Sequence, residues 1–290
     1  MYKCSYYEDR SIELYQKWLL ALTEREALTP KKVSYQDILA VRIEPGRHLV
    51  EFYIEVPYRP GRLARALQIM AEHGVTIANI CGQSTREKGM DFILADFSES
   101  TSTPEEVAKA LREDQLLQAL KVEYFEPEHR GIFYEALGFP LTIDNGKIPI
   151  MVVSRMMLLG MLRTVRETFG TGGDVIVYKQ AFEGAARIAR YFRERLAGLS
   201  SKDLFRWHLN VLFSVGWGIF EVEEADGVLV IRARDLFESS EPPPYPRMGC
   251  IFTRGYLAGM VSTYFEKQVE VSEVKCRAVG DDYCEFRVKL

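Results

Sequence analysis

The 290-residue sequence lacks the features that mark several large classes of protein. Its formal net charge is −4, whereas broad capture of nucleic acid needs a concentrated basic face, so direct nucleic-acid binding is not expected. Its apolar runs, such as residues 148–153 and 156–162, fall far short of the ~20 residues that a membrane span needs. The first ten residues, MYKCSYYEDR, contain no apolar region like that of a signal peptide. We therefore expect a cytoplasmic protein without a membrane segment.

Recognisable catalytic motifs are also missing from the sequence. It contains no GxSxG or HExxH motif, no phosphate-binding P-loop and no dinucleotide-binding glycine motif with its acidic partner. The four histidines are scattered at positions 48, 73, 129 and 208, which argues against a histidine-centred metal catalyst. We see no helix-turn-helix signature either. These absences favour a binding role over an enzymatic one.

Cysteine is scarce, but its placement is informative. Three of the five cysteines, Cys250, Cys276 and Cys284, lie near the C-terminal end with Glu273 between them. Thiolates are soft ligands, and three thiolates with one carboxylate suit a tetrahedral zinc ion. In a reducing cytosol, clustered cysteines bind metal more often than they form disulfides. The sequence therefore predicts zinc held by these four residues.

The local geometry of this site leaves alternatives open. Cys276 and Cys284 flank Gly280 symmetrically, and a hairpin centred there would place their Cβ atoms ~4.5–5.5 Å apart. That separation suits two ligands of one zinc ion, and it also suits a disulfide. Because an offset of three in a flat strand points side chains to opposite faces, Glu273 needs a bulge or bend at 274–275 to join Cys276. The alternatives to Glu273 as fourth ligand are Glu285, Asp281 and water.

Three segments are predicted along the chain. Residues 1–46 form a helical leader, with an amphipathic helix over 11–28. Residues 47–127 show a β-α-β-β-α-β order, in which Thr103, Pro104 and Glu106 mark the start of the second helix. A stretch rich in proline and glycine follows, and residues 131–290 form a mixed α/β segment. The predicted fold class is thus a two-domain protein with a ferredoxin-like first domain.

The segment 47–127 resembles the ACT domain through residues 56–63 (VPYRPGRL) and 74–80 (GVTIANI). The resemblance implies side-by-side pairing with a second copy and a small ligand, commonly an amino acid, between the copies. A glycine at a helix N-terminus lets a ligand carboxylate approach free backbone N–H groups. The candidate ligand-binding residues are Tyr58, Gly61, Arg62, Leu63 and Thr76. Since only Tyr58 and Thr76 offer polar side chains at the matching positions, a dimerisation module without ligand is the alternative.

In the C-terminal segment, the patterns predict alternating helices and strands. The predicted helices are 154–168, 181–197, 202–214 and 252–267, and the predicted strands are 174–178, 217–224, 228–233, 269–276 and 283–289. Gly249-Cys250 before a helix, Glu273, Cys276, the turn at 279–282 and Cys284 resemble the 4-vinyl-reductase-type domain. In its phenol-sensing members Cys, Glu, Cys and Cys hold zinc, and the spacings 23, 3 and 8 match here. The resemblance implies a structural zinc beside an aromatic-binding pocket.

Three residues are candidates for that pocket. Trp217 and Tyr264 lie in regions rich in aromatic residues, and His208 stands in an apolar helix. The phenol-sensing relatives use a histidine and a tryptophan to hold the phenolic group. A lone histidine in such a helix is also an ordinary core residue, and aromatic stripes are commonly core. Both interpretations stay open from the sequence.

The predicted function is ligand sensing in a regulatory protein. A small hydrophobic or aromatic molecule would bind the zinc-containing C-terminal domain, and the ACT domain would pair two chains or bind an amino acid. Without a recognisable output domain, its signal would pass through an unidentified partner or through its oligomeric state. The alternatives are an enzyme or accessory factor in tetrapyrrole metabolism, as the domain's name-giving relative suggests, and a structural assembly adaptor.

Overall fold

A computed structural model describes residues 41–240 and 249–290, which divide into two compact units between Ile150 and Met151. The predicted leader helix over 11–28 lies outside the described residues. Among the helices that the structure describes, none combines the length and apolar character required to cross a membrane. The metal-ligand candidates and the pocket candidates all belong to the second unit.

The first unit has the predicted β-α-β-β-α-β order. Its strands are β1 (Val41–Ile43), β2 (Leu49–Pro57), β3 (Thr76–Ser84), β4 (Lys88–Asp96), β5 (Lys121–Phe125), β6 (Ile132–Tyr134), β7 (Thr142–Ile143) and β8 (Ile148–Pro149). Its helices are α1 (Arg62–Glu72) and α2 (Pro104–Glu113). The main sheet has the order β3-β4-β2-β5 with antiparallel neighbours. This order confirms the predicted ferredoxin-like fold.

The main core of the first unit follows from alternation along β2. Val50, Phe52 and Ile54 are buried together with apolar residues of both helices, as expected for a strand whose alternate side chains face one layer. The helix residues of this core include Ile69, Met70, Val107 and Leu111. Phe133 of β6 is fully buried in a smaller cluster with Leu49 and Leu94, so the sheet carries apolar contacts on both faces.

The start of α2 shows why that helix begins where the sequence predicts. The Thr103 hydroxyl accepts the backbone N–H of Glu106 at 3.3 Å. In return, the Glu106 carboxylate accepts the backbone N–H of Thr103 at 2.8 Å. Pro104 occupies the first helical position, where its missing N–H costs nothing. The predicted capping box is therefore present.

The second unit combines a helical layer with an antiparallel sheet. Its helices are α3 (Arg155–Phe169), α4 (Thr171–Arg195), α5 (Ser201–Ser214) and α6 (Ile251–Phe265). Its strands are β9 (Ile219–Ala225), β10 (Val228–Arg234), β11 (Val271–Lys275) and β12 (Cys284–Lys289). The sheet order is β11-β12-β10-β9. Helix α6 buries most of its residues, as a helix that is apolar on all sides must.

The predicted strand at 174–178 is wrong, because these residues lie inside α4. The β-branched residues Val175 and Val177 suggested a strand, but only Val177 is buried. Ala181, Ala185 and Ala189 continue the same buried row at four-residue spacing. The run 174–178 is thus the first part of a helical stripe, and tertiary packing overrides its local strand preference.

Helices α4 and α6 approach each other closely through glycine. A Cβ atom at Gly255 would lie 2.3 Å from the carbonyl oxygen of Tyr178, and one at Gly259 would lie 2.3 Å from that of Phe182. No side chain fits at such a distance. The two glycines therefore allow α6 to rest directly on the backbone of α4.

Candidate metal centre and aromatic cluster

Cys250, Glu273, Cys276 and Cys284 lie together in the second unit. One ligand atom of each, a sulfur or a carboxylate oxygen, lies within 4.8 Å of the others. The three cysteine side chains are completely buried, and Glu273 is partly buried. The structure thus brings all four predicted metal-ligand candidates into one cluster.

Three elements position these side chains. Cys250 directly precedes α6, Glu273 belongs to β11, and Cys284 begins β12. The pairing of β11 with β12 changes register between Glu273 and Lys275. This irregularity is the bulge that the three-residue offset to Cys276 requires, and it brings Glu273 and Cys276 to the same side.

The sulfur separations fit a metal centre better than a disulfide. The Cys250 sulfur lies 3.8 Å from that of Cys276 and 3.7 Å from that of Cys284. Tetrahedral zinc with bonds of ~2.3 Å would separate two sulfurs by ~3.8 Å, whereas a disulfide bond is ~2.05 Å long. All cysteines among the described residues are free thiols.

Glu273 has the contacts of a fourth ligand. One carboxylate oxygen accepts the backbone N–H of Cys250 at 3.2 Å, while the other is buried without a hydrogen-bond partner. A buried polar atom without a partner is costly, and a cation would satisfy it. The alternative carboxylates are engaged elsewhere, because Asp281 accepts the N–H of Cys276 at 2.8 Å and Glu285 pairs with Arg287 at 2.9 Å.

The acidic groups of the cluster compete for ionisation. Hydrogen bonds with the thiols of Cys250 and Cys276 lower the pKa of Cys284 to about 4. Hydrogen bonds with the other two thiols, together with burial, raise the pKa of Cys250. Burial, with the nearby charge of Cys276, raises the pKa of Glu273 to about 8. Four buried acids cannot all lose their protons together, and a divalent cation is the partner that would allow it.

A fifth acidic residue, Glu238, supports the start of α6 rather than completing the cluster. Its carboxylate accepts the backbone N–H groups of Phe252 and Thr253, each at 2.8 Å. Burial raises the pKa of Glu238 to about 7. Sequence reasoning missed this residue, since no spacing rule relates a carboxylate in the 3-10 turn Phe237–Ser239 to a helix that begins later in the chain.

His208 of α5 lies in a second buried cluster with two tyrosines of α6. Its Nδ1 atom is 2.8 Å from the Tyr264 hydroxyl, and its Nε2 atom is 3.1 Å from the Tyr256 hydroxyl. Phe192 packs edge-on against the imidazole, with ring centroids 5.0 Å apart. Only 1% of the histidine surface is exposed, and both ring nitrogens have partners.

Trp217 extends this cluster along the side of α6. Its ring lies 4.6 Å from that of Tyr256 and 5.6 Å from that of Phe252. Tyr256 therefore joins the three predicted pocket residues, His208, Trp217 and Tyr264, into one cluster. Sequence reasoning missed Tyr256, although its spacing of eight from Tyr264 on a single helix was a usable signal.

Helix α6 connects the metal-ligand cluster with the aromatic cluster. Cys250 stands at its start, and Tyr256 lies six residues further along. At 1.5 Å per residue, the two positions are ~9 Å apart along the helix axis. Any shift of α6 at one cluster would therefore be felt at the other.

We expect His208 to make the second unit sensitive to acid. Burial lowers the pKa of His208 from 6.5 to about 4, so the fold stabilises the neutral imidazole. This contribution is present above pH 6.5 and is lost as the pH falls toward 4; a shift of this size corresponds to about 3 kcal/mol. Chemical denaturation at pH 7 and pH 4 should show that loss in the free energy of unfolding.

His208→Gln provides the control for this pH dependence. The variant keeps every other titrating group, including the metal-ligand candidates, so their contribution cancels in the comparison. Its free energy of unfolding should fall less steeply between pH 7 and pH 4 than that of the natural chain. Equal slopes for the two proteins would contradict the assignment.

In the first unit, the ACT ligand candidates separate into two locations. Tyr58, Gly61, Arg62 and Leu63 follow the end of β2 and lead into α1. Thr76 begins β3 and pairs with Asp96, whereas the end of β2 pairs with Lys88. Thr76 is thus at the opposite end of the sheet within one chain, ~26 Å away along a nine-residue strand.

The turn before α1 has the backbone geometry that the ACT resemblance implies. Gly61 has φ +82°, a left-handed conformation that favours glycine, and it caps α1 without a side-chain hydrogen bond. Tyr58 is exposed. Arg62 donates to Gln118 at 3.0 Å, so its guanidinium is held by a residue of the same chain.

Comparison with known proteins identifies a domain in the second unit. Residues 229–290 match the family model of the 4-vinyl-reductase domain, and this segment contains the four metal-ligand candidates. The uncharacterized protein MJ0150 of Methanocaldococcus jannaschii is 26% identical over 151 residues, which cover 50% of this chain and 83% of that protein. The chain therefore carries a domain of the 4-vinyl-reductase type at its C-terminal end.

Two solved structures resemble parts of the chain. The phenol-responsive sensory domain of the transcription activator PoxR with phenol gives a TM-score of 0.42 at 16% identity, covering 55% of this chain and 79% of that one. The ACT domain of GTP pyrophosphokinase from Chlorobium tepidum gives a TM-score of 0.23 at 14% identity, covering 27% and 99%. Both scores are below 0.5, and neither likeness carries an argument about function.

Proposed function

We propose that this protein is a ligand-sensing regulatory protein. Its C-terminal domain, residues 131–290, would hold a structural zinc ion and bind a small aromatic molecule that bears a hydroxyl group. Its ACT domain, residues 47–127, would pair two copies of the chain and is the candidate site for an amino acid. The observation that carries the proposal is the buried His208 cluster on the helix that begins at the four metal-ligand candidates.

Zinc is the metal that suits this donor set. Three thiolates and one carboxylate select a borderline-soft ion, and the sulfur separations and the partnerless Glu273 oxygen support the assignment. Four protein ligands leave no open position for a catalytic water, so the ion would have a structural role. It would tie the hairpin of β11 and β12 to the start of α6.

The aromatic ligand is inferred from what His208 already contacts. A buried, neutral imidazole has one donor and one acceptor nitrogen, and here both meet phenolic hydroxyls. The surrounding rings of Phe192, Tyr256 and Trp217 are the surfaces against which another flat ring would stack. A phenol-sized molecule therefore matches both the polar and the apolar parts of the cluster.

A direct binding experiment tests the aromatic-ligand proposal. Isothermal titration calorimetry on the whole chain would compare phenol with cyclohexanol, which has a similar size and a hydroxyl but no aromatic ring. We expect phenol to bind at least tenfold more tightly. His208→Phe should weaken phenol binding about tenfold, because the buried hydroxyl would lose its partner.

Two outcomes would count against the proposal. Equal affinities for phenol and cyclohexanol would show that the cluster does not recognise an aromatic hydroxyl. Unchanged phenol affinity in His208→Phe would place the binding site elsewhere. Zinc content measured on the same samples would show whether the variant has kept its C-terminal domain intact.

A further inference from the structure

The His208 cluster has no free hydrogen-bonding position for a ligand. The Tyr264 and Tyr256 hydroxyls occupy the two ring nitrogens at 2.8 and 3.1 Å. A neutral imidazole makes one hydrogen bond at each nitrogen. A phenolic ligand that binds His208 must therefore replace one of the two tyrosine hydroxyls.

The two tyrosines differ in their freedom to leave. Tyr264 is 2% exposed, so moving its ring would open a cavity in a packed core. Tyr256 is only partly buried and makes the longer hydrogen bond. Its ring also rests against Trp217 at 4.6 Å, which is itself partly buried. Tyr256 is thus the one that can turn away toward solvent.

Building on the proposed function, we infer that Tyr256 is an internal occupant of the ligand site and sets its specificity. Its side chain is chemically a para-substituted phenol, so the site in its closed form is filled by the group it recognises. A free phenol would take the place of the Tyr256 ring between His208 and Trp217. Larger or purely aliphatic molecules would displace it less well.

This competition lowers the affinity of the closed site for its ligand. Binding requires the hydrogen bond between Tyr256 and His208 to break before the ligand can form its own. Displacement also frees a side chain on α6 about one and a half turns from Cys250. The exchange of Tyr256 for the ligand is therefore the step that would alter the packing of α6.

Removing only the Tyr256 hydroxyl tests the inference. Tyr256→Phe should bind phenol roughly two- to tenfold more tightly than the natural chain in calorimetric titrations, because one internal hydrogen bond no longer competes. Tyr264→Phe is the matched control and should show no gain, since the buried ring remains in place. Tyr256→Leu, which also removes the ring, should bind phenol at least as tightly as Tyr256→Phe.

The outcomes separate this inference from the proposed function. If the natural chain binds phenol and neither Tyr256 variant binds it more tightly, the internal-occupant role is wrong while the proposed function stands. If no protein in the series binds phenol, the proposed function fails and the inference fails with it. Tighter binding in both Tyr256 variants, with none in Tyr264→Phe, would support the inference.

Discussion

Replacing Cys284 with serine should remove the metal and destabilise the C-terminal domain by several kcal/mol. A structural zinc site contributes its binding free energy to folding, so loss of one thiolate weakens both together. The variant also leaves three buried acidic groups without the cation that would allow them to ionise. Zinc content by elemental analysis and the free energy of unfolding should fall together.

Cys81→Ser is the control for this substitution. Cys81 is an exposed free thiol on β3 of the first unit, so the same chemical change there should leave zinc content and stability unaltered. Full zinc content and an unchanged unfolding profile in Cys284→Ser would show that the ligand assignment is wrong. A stability loss of equal size in Cys81→Ser would point to a general effect of the substitution.

Gly259→Ala should destabilise the second unit by about 2–3 kcal/mol. The added Cβ would lie 2.3 Å from the carbonyl oxygen of Phe182 and 3.0 Å from the Cβ of Ala185. Backbone cannot yield as a side chain can, so α4 and α6 must move apart, and overpacking of this kind costs about 1–3 kcal/mol or more. Chemical denaturation would measure the loss.

Gly184→Ala is the matched control on the opposing helix. Gly184 lies within α4, and no atom lies within 4 Å of the position that its Cβ would take. Alanine should therefore stabilise this helix by about 0.5–1 kcal/mol relative to glycine. The two identical substitutions should thus have opposite signs. Stabilisation in both variants would contradict the close packing of α4 against α6.

The metal-ligand candidates were the most predictable part of the second unit. Their residue types define the chemistry, and the symmetry of Cys276 and Cys284 about Gly280 defines a hairpin. The structure adds what the pattern could not supply. It shows the register change between Glu273 and Lys275, and it shows that one oxygen of Glu273 lacks a partner.

Contacts between distant segments were harder to predict. The ferredoxin-like order of the first unit followed from alternation and from the capping box at Thr103, which are local signals. The strand expected at 174–178 failed because its burial pattern becomes helical only when the alanines up to Ala189 are included. Glu238 was missed because its hydrogen bonds to Phe252 and Thr253 depend on tertiary packing alone.

The aromatic cluster lies between these extremes. His208, Trp217 and Tyr264 were predicted as pocket residues, and the structure places them in one cluster only through Tyr256. Helical spacing relates Tyr256 to Tyr264, but it does not show that both hydroxyls meet the same histidine. For the ACT candidates, the sequence grouped Thr76 with Gly61, whereas the strand order places them at opposite ends of the sheet.

Metal content of the purified chain tests the central claim most directly. Inductively coupled plasma mass spectrometry would identify the element, and native mass spectrometry on the same sample would give its stoichiometry. We predict one zinc ion per chain, lost when Cys284 is replaced by serine. Metal-free protein that is about 2 Da lighter than the reduced chain would contradict the account, because it would place a Cys276–Cys284 disulfide where we assign a zinc site.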